Sequence, residues 1–213
     1  MEKIIICNLK SNLENEDIKK YIEKVKNINN LVVIPSSLYL KDFIKENIKV
    51  GIQDISPYED GPYTSFISAK QASSINVSYV LLNHVEIKKL TNQTKEDLIK
   101  KINLSKKYNL KIILCIENIE ELNEYLNINL ENIDIVLEPG YTIGSKSLTI
   151  EEIEQKISKI KEILNMNNLN NKVLYGGSVN LDNIKQILSI NVVDGVLLGK
   201  SSLNIDELLR EVN

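Results

Sequence analysis

Three side chains that could handle protons or negative charge lie just beyond short apolar segments of the sequence. Lys10 follows the run Ile-Ile-Ile-Cys by three residues, His84 is the only histidine of the chain, and Glu138 closes the run Val-Leu-Glu. An ammonium group can stabilise a developing oxyanion, an imidazole titrates near neutral pH, and a carboxylate can accept a proton. Pro139 restricts Glu138 to extended backbone angles, which helps to fix the approach of its carboxylate. These three residues are therefore candidate catalytic residues.

The glycines that could let backbone amides approach a ligand cluster in the second half of the chain. Five of the eight glycines follow its last three apolar segments, and these are Gly140, Gly144, Gly176, Gly177 and Gly199. A Gly-Gly-Ser turn ends at Ser178, and the pattern beyond it predicts a helix beginning near Val179. A second turn of similar character, Gly-Lys-Ser-Ser, carries Lys200. Amide and hydroxyl groups in such turns bind anions.

Eight short β-rich apolar segments would position these residues. They span residues 3–7, 31–34, 50–53, 78–82, 111–116, 133–138, 172–175 and 193–198. Their cores are continuously apolar rather than alternating, which is typical of parallel strands covered on both faces. The seven intervals between residues 3 and 193 average about 27 residues, the period of one strand, one helix and two loops.

Most of the stretches between these segments have apolar residues at helical spacing, which predicts helices there. The face of a first predicted helix consists of Ile18, Tyr21, Ile22, Val25 and Ile28. Thr149 with Glu152, and Thr94 with Asp97, have the spacing of capping boxes, so helices are predicted to begin directly after both threonines.

Eight alternating units without a linker predict an α/β fold, a single (β/α)8 TIM barrel domain of eight parallel strands over residues 1–213. The alternative is an open doubly wound sheet, which normally stops at five or six strands. In a barrel, catalytic groups lie at the carboxyl ends of the strands, and phosphate binds after strands 7 and 8. Glu138 ends a predicted strand, and Lys10, His84, Ser178 and Lys200 follow predicted strands.

The composition of the chain argues against several classes of protein. The 26 basic and 29 acidic residues give a net charge of −3, which argues against a nucleic-acid binder. The longest apolar run near the amino terminus is too short for a leader or a membrane span. Cys7 and Cys115 cannot form a disulfide scaffold, are expected in the core, and fit a reducing cytosol. One histidine and no ligand spacing argue against a metal site.

Taken in order, these residues resemble the triosephosphate isomerase family over nearly the whole chain. The motifs that carry the resemblance are Asn8-Leu9-Lys10, Asp60-Gly61-Pro62-Tyr63-Thr64, Asn83-His84-Val85-Glu86, Glu138-Pro139, Ile143-Gly144, Tyr175-Gly176-Gly177-Ser178-Val179, and Asp194-Gly195 followed by Gly199. Single motifs of this kind are weak. Five of them in the right order, each after the right strand, are strong.

The resemblance implies an aldose–ketose isomerase that acts through an enediolate without metal or organic cofactor. It makes Glu138 the base, neutral His84 the group that polarises the carbonyl, and Lys10 the stabiliser of the enediolate and of the substrate dianion, with Asn8 holding the site together. It also implies a lid over residues 139–147 and a cytoplasmic enzyme. The amides implied to bind the phosphate of the sugar are those near Gly144, Ser178, Gly199 and Lys200.

Several residues depart from the family pattern. Val85 replaces a serine, Tyr141 a common lid tryptophan, and Lys146 and Lys200 each replace a second glycine. A lysine at position 200 keeps the amide but tolerates a positive φ poorly. The segment from residue 115 to 138 is also short, as if its helix were trimmed.

Two further functions stay open beside a triosephosphate isomerase. One is a sister isomerase that acts on a four-carbon sugar phosphate, and the other is a phosphate-binding barrel without catalysis. The resemblance also implies a homodimer in which loop 60–66 inserts Tyr63 and Thr64 into the partner near Asn8 and Lys10. A tetramer is possible if the trimmed helix exposes an apolar patch.

Overall fold

Eight parallel strands form one sheet in the computed structural model, which describes residues 2–140 and 148–212. The strands are β1 (Ile4–Asn8), β2 (Leu31–Ile34), β3 (Gly51–Ile52), β4 (Tyr79–Leu82), β5 (Lys111–Ile116), β6 (Ile133–Leu137), β7 (Val173–Tyr175) and β8 (Gly195–Leu198). Their order in the sheet is β2-β1-β8-β7-β6-β5-β4-β3. A parallel bridge from Val33 to Val50 joins the two ends of this sheet. The predicted (β/α)8 barrel is thereby confirmed, and the open doubly wound alternative is wrong.

Helices surround the barrel and return the chain to the start of each next strand. The described helices are α1 (Asn15–Val25), α2 (Leu40–Lys45), α3 (Ala69–Ser74), α4 (Val85–Thr91), α5 (Lys95–Lys107), α6 (Ile119–Tyr125), α7 (Ile150–Met166), α8 (Ile184–Ser189) and α9 (Ile205–Val212). The predicted capping boxes are confirmed at Thr94 and Thr149. Only seven residues form α6, in agreement with the short segment between β5 and β6. None of these helices is long and apolar enough to cross a membrane.

Some predicted boundaries shift by a few residues. The first helix ends at Val25, and Ile28 lies in a turn whose amide donates back to the Val25 carbonyl at 3.1 Å. Strand β8 begins at Gly195 rather than 193, because Val193 still belongs to a turn closed by the Ile190 carbonyl. Strand β6 ends at Leu137, which leaves Glu138 as the first residue beyond it.

The helix predicted to begin near Val179 is wrong by five residues, since α8 begins at Ile184. Asn180 caps the turn that leads into α8, because its Oδ1 accepts from the amides of Asp182 at 2.9 Å and Asn183 at 3.1 Å. Its carbonyl also accepts from the Ile184 amide at 3.0 Å, and asparagine is a preferred capping residue. No helix begins directly behind Ser178.

Alternate residues of the strands face the barrel interior, and the others face the helices. The interior holds Ile4, Ile6, Val32, Ile34, Tyr79, Leu81, Ile113, Cys115, Val136, Leu174 and Leu197. Cys7 packs on the outer side. Both cysteines are buried and free, as expected of core residues, and burial raises the pKa of the Cys7 thiol to about 12. The carboxyl-end site therefore rests on a packed apolar floor.

Candidate active site

A cavity of about 290 Å³ opens at the carboxyl end of the barrel. The predicted site residues that line it are Asn8, Lys10, His84, Glu138, Ser178, Gly199 and Lys200. Gly176, Val179, Leu197 and Ser201 complete its lining. Gly144, Tyr141 and Lys146, with most of the predicted lid, lie outside the described residues.

His84 follows β4 and is buried, with 3% of its surface exposed. Its Nδ1 accepts a hydrogen bond from the Glu86 amide at 3.2 Å, and this hydrogen bond caps the start of α4. An amide can only donate, so Nδ1 is the unprotonated nitrogen and the neutral ring carries its proton on Nε2. The proton therefore points toward Glu138 and the cavity.

Glu138 and His84 face each other across the cavity floor. Their Oε2 and Nε2 atoms are 3.3 Å apart, yet the two groups are not aligned for a hydrogen bond. Both atoms are buried and neither has a hydrogen-bond partner among the described residues. Leaving a buried polar atom unpaired costs about 1–3 kcal/mol, which is a frequent feature of functional sites. The pair is thus arranged to bind a group that the described residues do not supply.

Lys10 reaches the cavity from a left-handed backbone conformation with φ of 52°. Its amide donates to Asn8 Oδ1 at 3.2 Å, and its carbonyl accepts from Gln53 Nε2 at 2.7 Å. Its ammonium pairs with Glu86 Oε1 at 2.5 Å. A Cβ on Gly199 would lie 4.0 Å from Lys10 Nζ, so the ammonium also reaches toward the turn after β8.

Glu86 has a larger part than the sequence motif indicated. Its amide fixes the imidazole of His84 and its carboxylate holds Lys10, so one residue orients two candidate catalytic groups. Gln53, which holds the Lys10 carbonyl, carried no such signal at all. The spacing of two residues between His84 and Glu86 was the available clue to the first of these contacts.

The two predicted anion turns meet at the side of the cavity opposite β4. Ser178 has φ of 52°, and its carbonyl accepts from Asn183 Nδ2 at 3.2 Å. Lys200 starts a 3-10 turn over Lys200–Leu203 and does not have a positive φ. The backbone strain expected at Lys200 is therefore absent, since nothing here requires a left-handed residue. Its ammonium forms no ion pair within the described part of the chain.

Comparison with known proteins identifies the family. A family model described as triosephosphate isomerase matches residues 3–213. Proteins named triosephosphate isomerase from Francisella tularensis subsp. mediasiatica and from Wigglesworthia glossinidia brevipalpis are 31% and 35% identical to the chain. Both matches cover 86% of this chain, with 85% and 84% of the respective relatives. The chain belongs to the triosephosphate isomerase family.

Proposed function

We propose that this chain interconverts glyceraldehyde 3-phosphate and dihydroxyacetone phosphate by proton transfer through an enediolate. The family supports this function, in glycolysis or gluconeogenesis in the cytoplasm. The observation that carries the proposal is the 3.3 Å approach of two unpartnered atoms, His84 Nε2 and Glu138 Oε2, in a cavity also lined by Lys10.

Glu138 serves as the base. Its carboxylate removes a proton from the carbon next to the substrate carbonyl, leaving an enediolate, and returns that proton to the neighbouring carbon. No atom is gained or lost overall, because one C–H bond breaks and another forms while the oxygens exchange a proton. The buried carboxylate needs no other group to accept this proton.

His84 polarises the carbonyl by donating from Nε2, the nitrogen that the Glu86 amide leaves protonated. The same nitrogen can pass a proton between the two enediolate oxygens. Lys10 places its ammonium where negative charge develops, and Asn8 supports the left-handed turn that carries it. The Lys10 side chain is only 31% exposed, and charge stabilisation at a partly buried group is stronger than in bulk water.

The phosphate is held at the opposite side by backbone amides near Ser178, Gly199 and Lys200. The family resemblance adds the amide of Gly144, which lies outside the described residues. Such turns offer several N–H groups to one dianion. Lys10 and Lys200 line the same cavity, and their ammonium groups attract the phosphate dianion. This division places the reacting carbons between Glu138 and His84.

Deuterium exchange tests the reaction directly. We expect the protein in D2O to place deuterium on the reacting carbon of dihydroxyacetone phosphate and to convert it to the aldose. Unphosphorylated dihydroxyacetone is the matched control, and it should react far more slowly. Faster turnover of a four-carbon ketose phosphate would favour the sister isomerase. Phosphate binding without exchange would leave only the binding barrel.

We further infer a homodimer built on loop 60–66. Tyr58, Tyr63 and Phe66 are 40%, 43% and 53% exposed, and the two tyrosine rings stack at 4.6 Å. Leu38 and Leu90, also exposed, follow β2 and β4, the neighbours of β3 in the barrel. The contacting rings of Tyr58, Tyr63 and Phe66 form an exposed apolar surface, which favours a protein partner, and we take this partner to be a second copy.

Sedimentation of loop variants tests this assembly. Deleting residues 62–64 should give a weakly active monomer, because Tyr63 and Thr64 would no longer insert near the partner's Asn8 and Lys10. Met166→Ser is the matched control, since Met166 is also exposed but lies at the amino end of the barrel. A monomeric wild type, or a fully active monomer after the deletion, would contradict the proposal.

A further inference from the structure

A carboxylate–ammonium cluster lies beside the two candidate catalytic side chains. Lys88 Nζ is 2.7 Å from Glu117 Oε1 and 2.8 Å from Glu121 Oε1. The side chains are only 22%, 32% and 14% exposed, so this is a partly buried triad rather than a surface pair. The three residues come from α4, from the residue after β5 and from α6, and we name them the Lys88 triad.

One side of the Lys88 triad reaches the residue before His84. Glu121 Oε1 accepts from Asn83 Nδ2 at 2.9 Å, and the same Nδ2 donates to the Cys115 carbonyl at 2.9 Å. Asn83 has φ of 62°, a conformation that asparagine tolerates but that few other residues adopt cheaply. Two hydrogen bonds thus hold in place the turn that aims His84 into the cavity.

Glu121 is held ionised by the groups around it. Burial alone would raise the pKa of its carboxyl, but hydrogen bonds from Lys88 and from the Glu117 amide bring this pKa below the usual value. The Tyr125 hydroxyl adds a donor at 3.0 Å. Burial likewise opposes the charge of Lys88, yet its two carboxylates raise the pKa of Lys88 overall. Glu121 and Lys88 are therefore both charged at neutral pH.

The other side of the Lys88 triad touches the backbone just after Glu138. A Cβ added to Gly140 would collide with the carboxylate of Glu117, and it would lie 3.8 Å from Val85 Cγ2. Lys88 pairs with the other oxygen of that carboxylate, so moving the carboxylate away from the backbone at Gly140 would disturb this ion pair. Only one residue, Pro139, separates Gly140 from Glu138.

We propose that the Lys88 triad positions both catalytic side chains, Glu138 through Gly140 and His84 through Asn83. Glu117, Glu121 and Lys88 are positioning residues, because none of them lines the cavity. The inference rests on the proposed function, since kcat is its readout. It also explains why a glycine stands at position 140, since the Glu117 carboxylate approaches too closely for a Cβ.

A double-mutant cycle tests the Gly140 contact. Gly140→Ala should push the backbone away from Glu117 and lower kcat by about tenfold or more, since a 1 Å misplacement can cost ~10²-fold. KM should change by less than about threefold. Adding Glu117→Ala removes the collision, so the double variant should return to the level of Glu117→Ala alone. A fully active Gly140→Ala enzyme, or a double variant clearly slower than Glu117→Ala alone, would overturn the contact.

A lysine comparison tests the triad without touching the glycine. Lys161 pairs with Asp194 at 2.8 Å, is 29% exposed and lies at the amino end of the barrel, so Lys161→Met is the matched control. Both methionine variants should lower Tm by similar amounts, but only Lys88→Met should lower kcat, about tenfold. Lys88→Arg should recover part of the loss. Equal kcat values for the two methionine variants would make the triad merely structural.

The two proposals fail separately. A wild-type chain that does not exchange deuterium into dihydroxyacetone phosphate would contradict the proposed function. An active wild type whose Gly140→Ala and Lys88→Met variants keep its kcat would contradict only the positioning role.

Discussion

The two ends of the barrel are built from the same strands but use polar groups differently. The carboxyl-end cavity of about 290 Å³ contains two buried atoms without partners, on His84 and Glu138. A cavity of about 160 Å³ at the amino end is lined by Lys49, Tyr79, Lys172 and other residues. None of its described lining side chains has a buried unpaired atom. Of these two cavities, only the one at the carboxyl end presents buried unpaired atoms of described residues, where a substrate can pair with them.

The residues with a left-handed backbone conformation also differ between the two ends of the barrel. At the amino end, the left-handed residues in the turns before strands are all asparagines: Asn47, Asn76, Asn109, Asn132 and Asn168. At the carboxyl end, Lys10 and Ser178 take this conformation as well as Asn83. A left-handed residue costs roughly 1–2 kcal/mol except for glycine, and asparagine tolerates it best. Two proposed site residues, Lys10 and Ser178, thus carry this strain at the carboxyl end, as does Ser65 in loop 60–66.

Among these variants, His84→Gln should lower kcat most, because it removes an unpaired group of the carboxyl-end cavity. Losing a donor aimed at the developing oxyanion costs about 10²–10³-fold in kcat. Tyr79→Phe is the control, because Tyr79 is buried at the amino end of the same strand, β4. The variant also leaves the chain without histidine, so any pH dependence of its rate between 5 and 8 has another source. Rates within twofold of wild type would mean that the electrophile lies elsewhere.

Glu138→Asp should cause the second-largest loss of kcat. Shortening the side chain withdraws the base by about 1 Å, and kcat should fall about 10²-fold while affinity for inorganic phosphate stays nearly constant. Glu131→Asp, just before the other end of β6, should leave kcat unchanged. Steady-state kinetics and phosphate inhibition measure both quantities, and an unchanged kcat in Glu138→Asp would remove this residue from the mechanism.

Lys200→Met should have a smaller effect that depends on salt. If the ammonium attracts the substrate dianion, KM should rise a few-fold at low salt and converge on the wild-type value at high salt. Lys172→Met removes a lysine from the amino-end cavity and should leave KM unaltered. Identical KM values for both variants at low salt would show that the phosphate is held without this side chain.

The change in folding stability that we expect from Lys10→Gly is the smallest of the four effects. Relief of the left-handed backbone should raise the free energy of unfolding by up to about 1 kcal/mol, even though the ion pair with Glu86 is lost. Asn109→Gly at the amino end should change it less. Urea unfolding measures both values, and a clear loss of stability in Lys10→Gly would mean that Lys10 is not strained.

Local patterns were enough to predict much of this protein. Continuous apolar runs identified all eight strands, and the capping boxes at Thr94 and Thr149 located two helix starts. The order of the strands then predicted that Lys10, His84 and Glu138 share one end of a barrel. These predictions succeed because hydrophobic periodicity and capping depend on residues within a few positions of one another.

Contacts between distant residues were decided only by the tertiary structure. Glu86 reaches Lys10 across 76 positions of sequence, and Glu117 meets Gly140 across another part of the barrel. The unprotonated Nδ1 of His84 likewise depends on where the Glu86 amide points. Many lysines and glutamates in the chain have the same local pattern, so packing alone determines which of them meet.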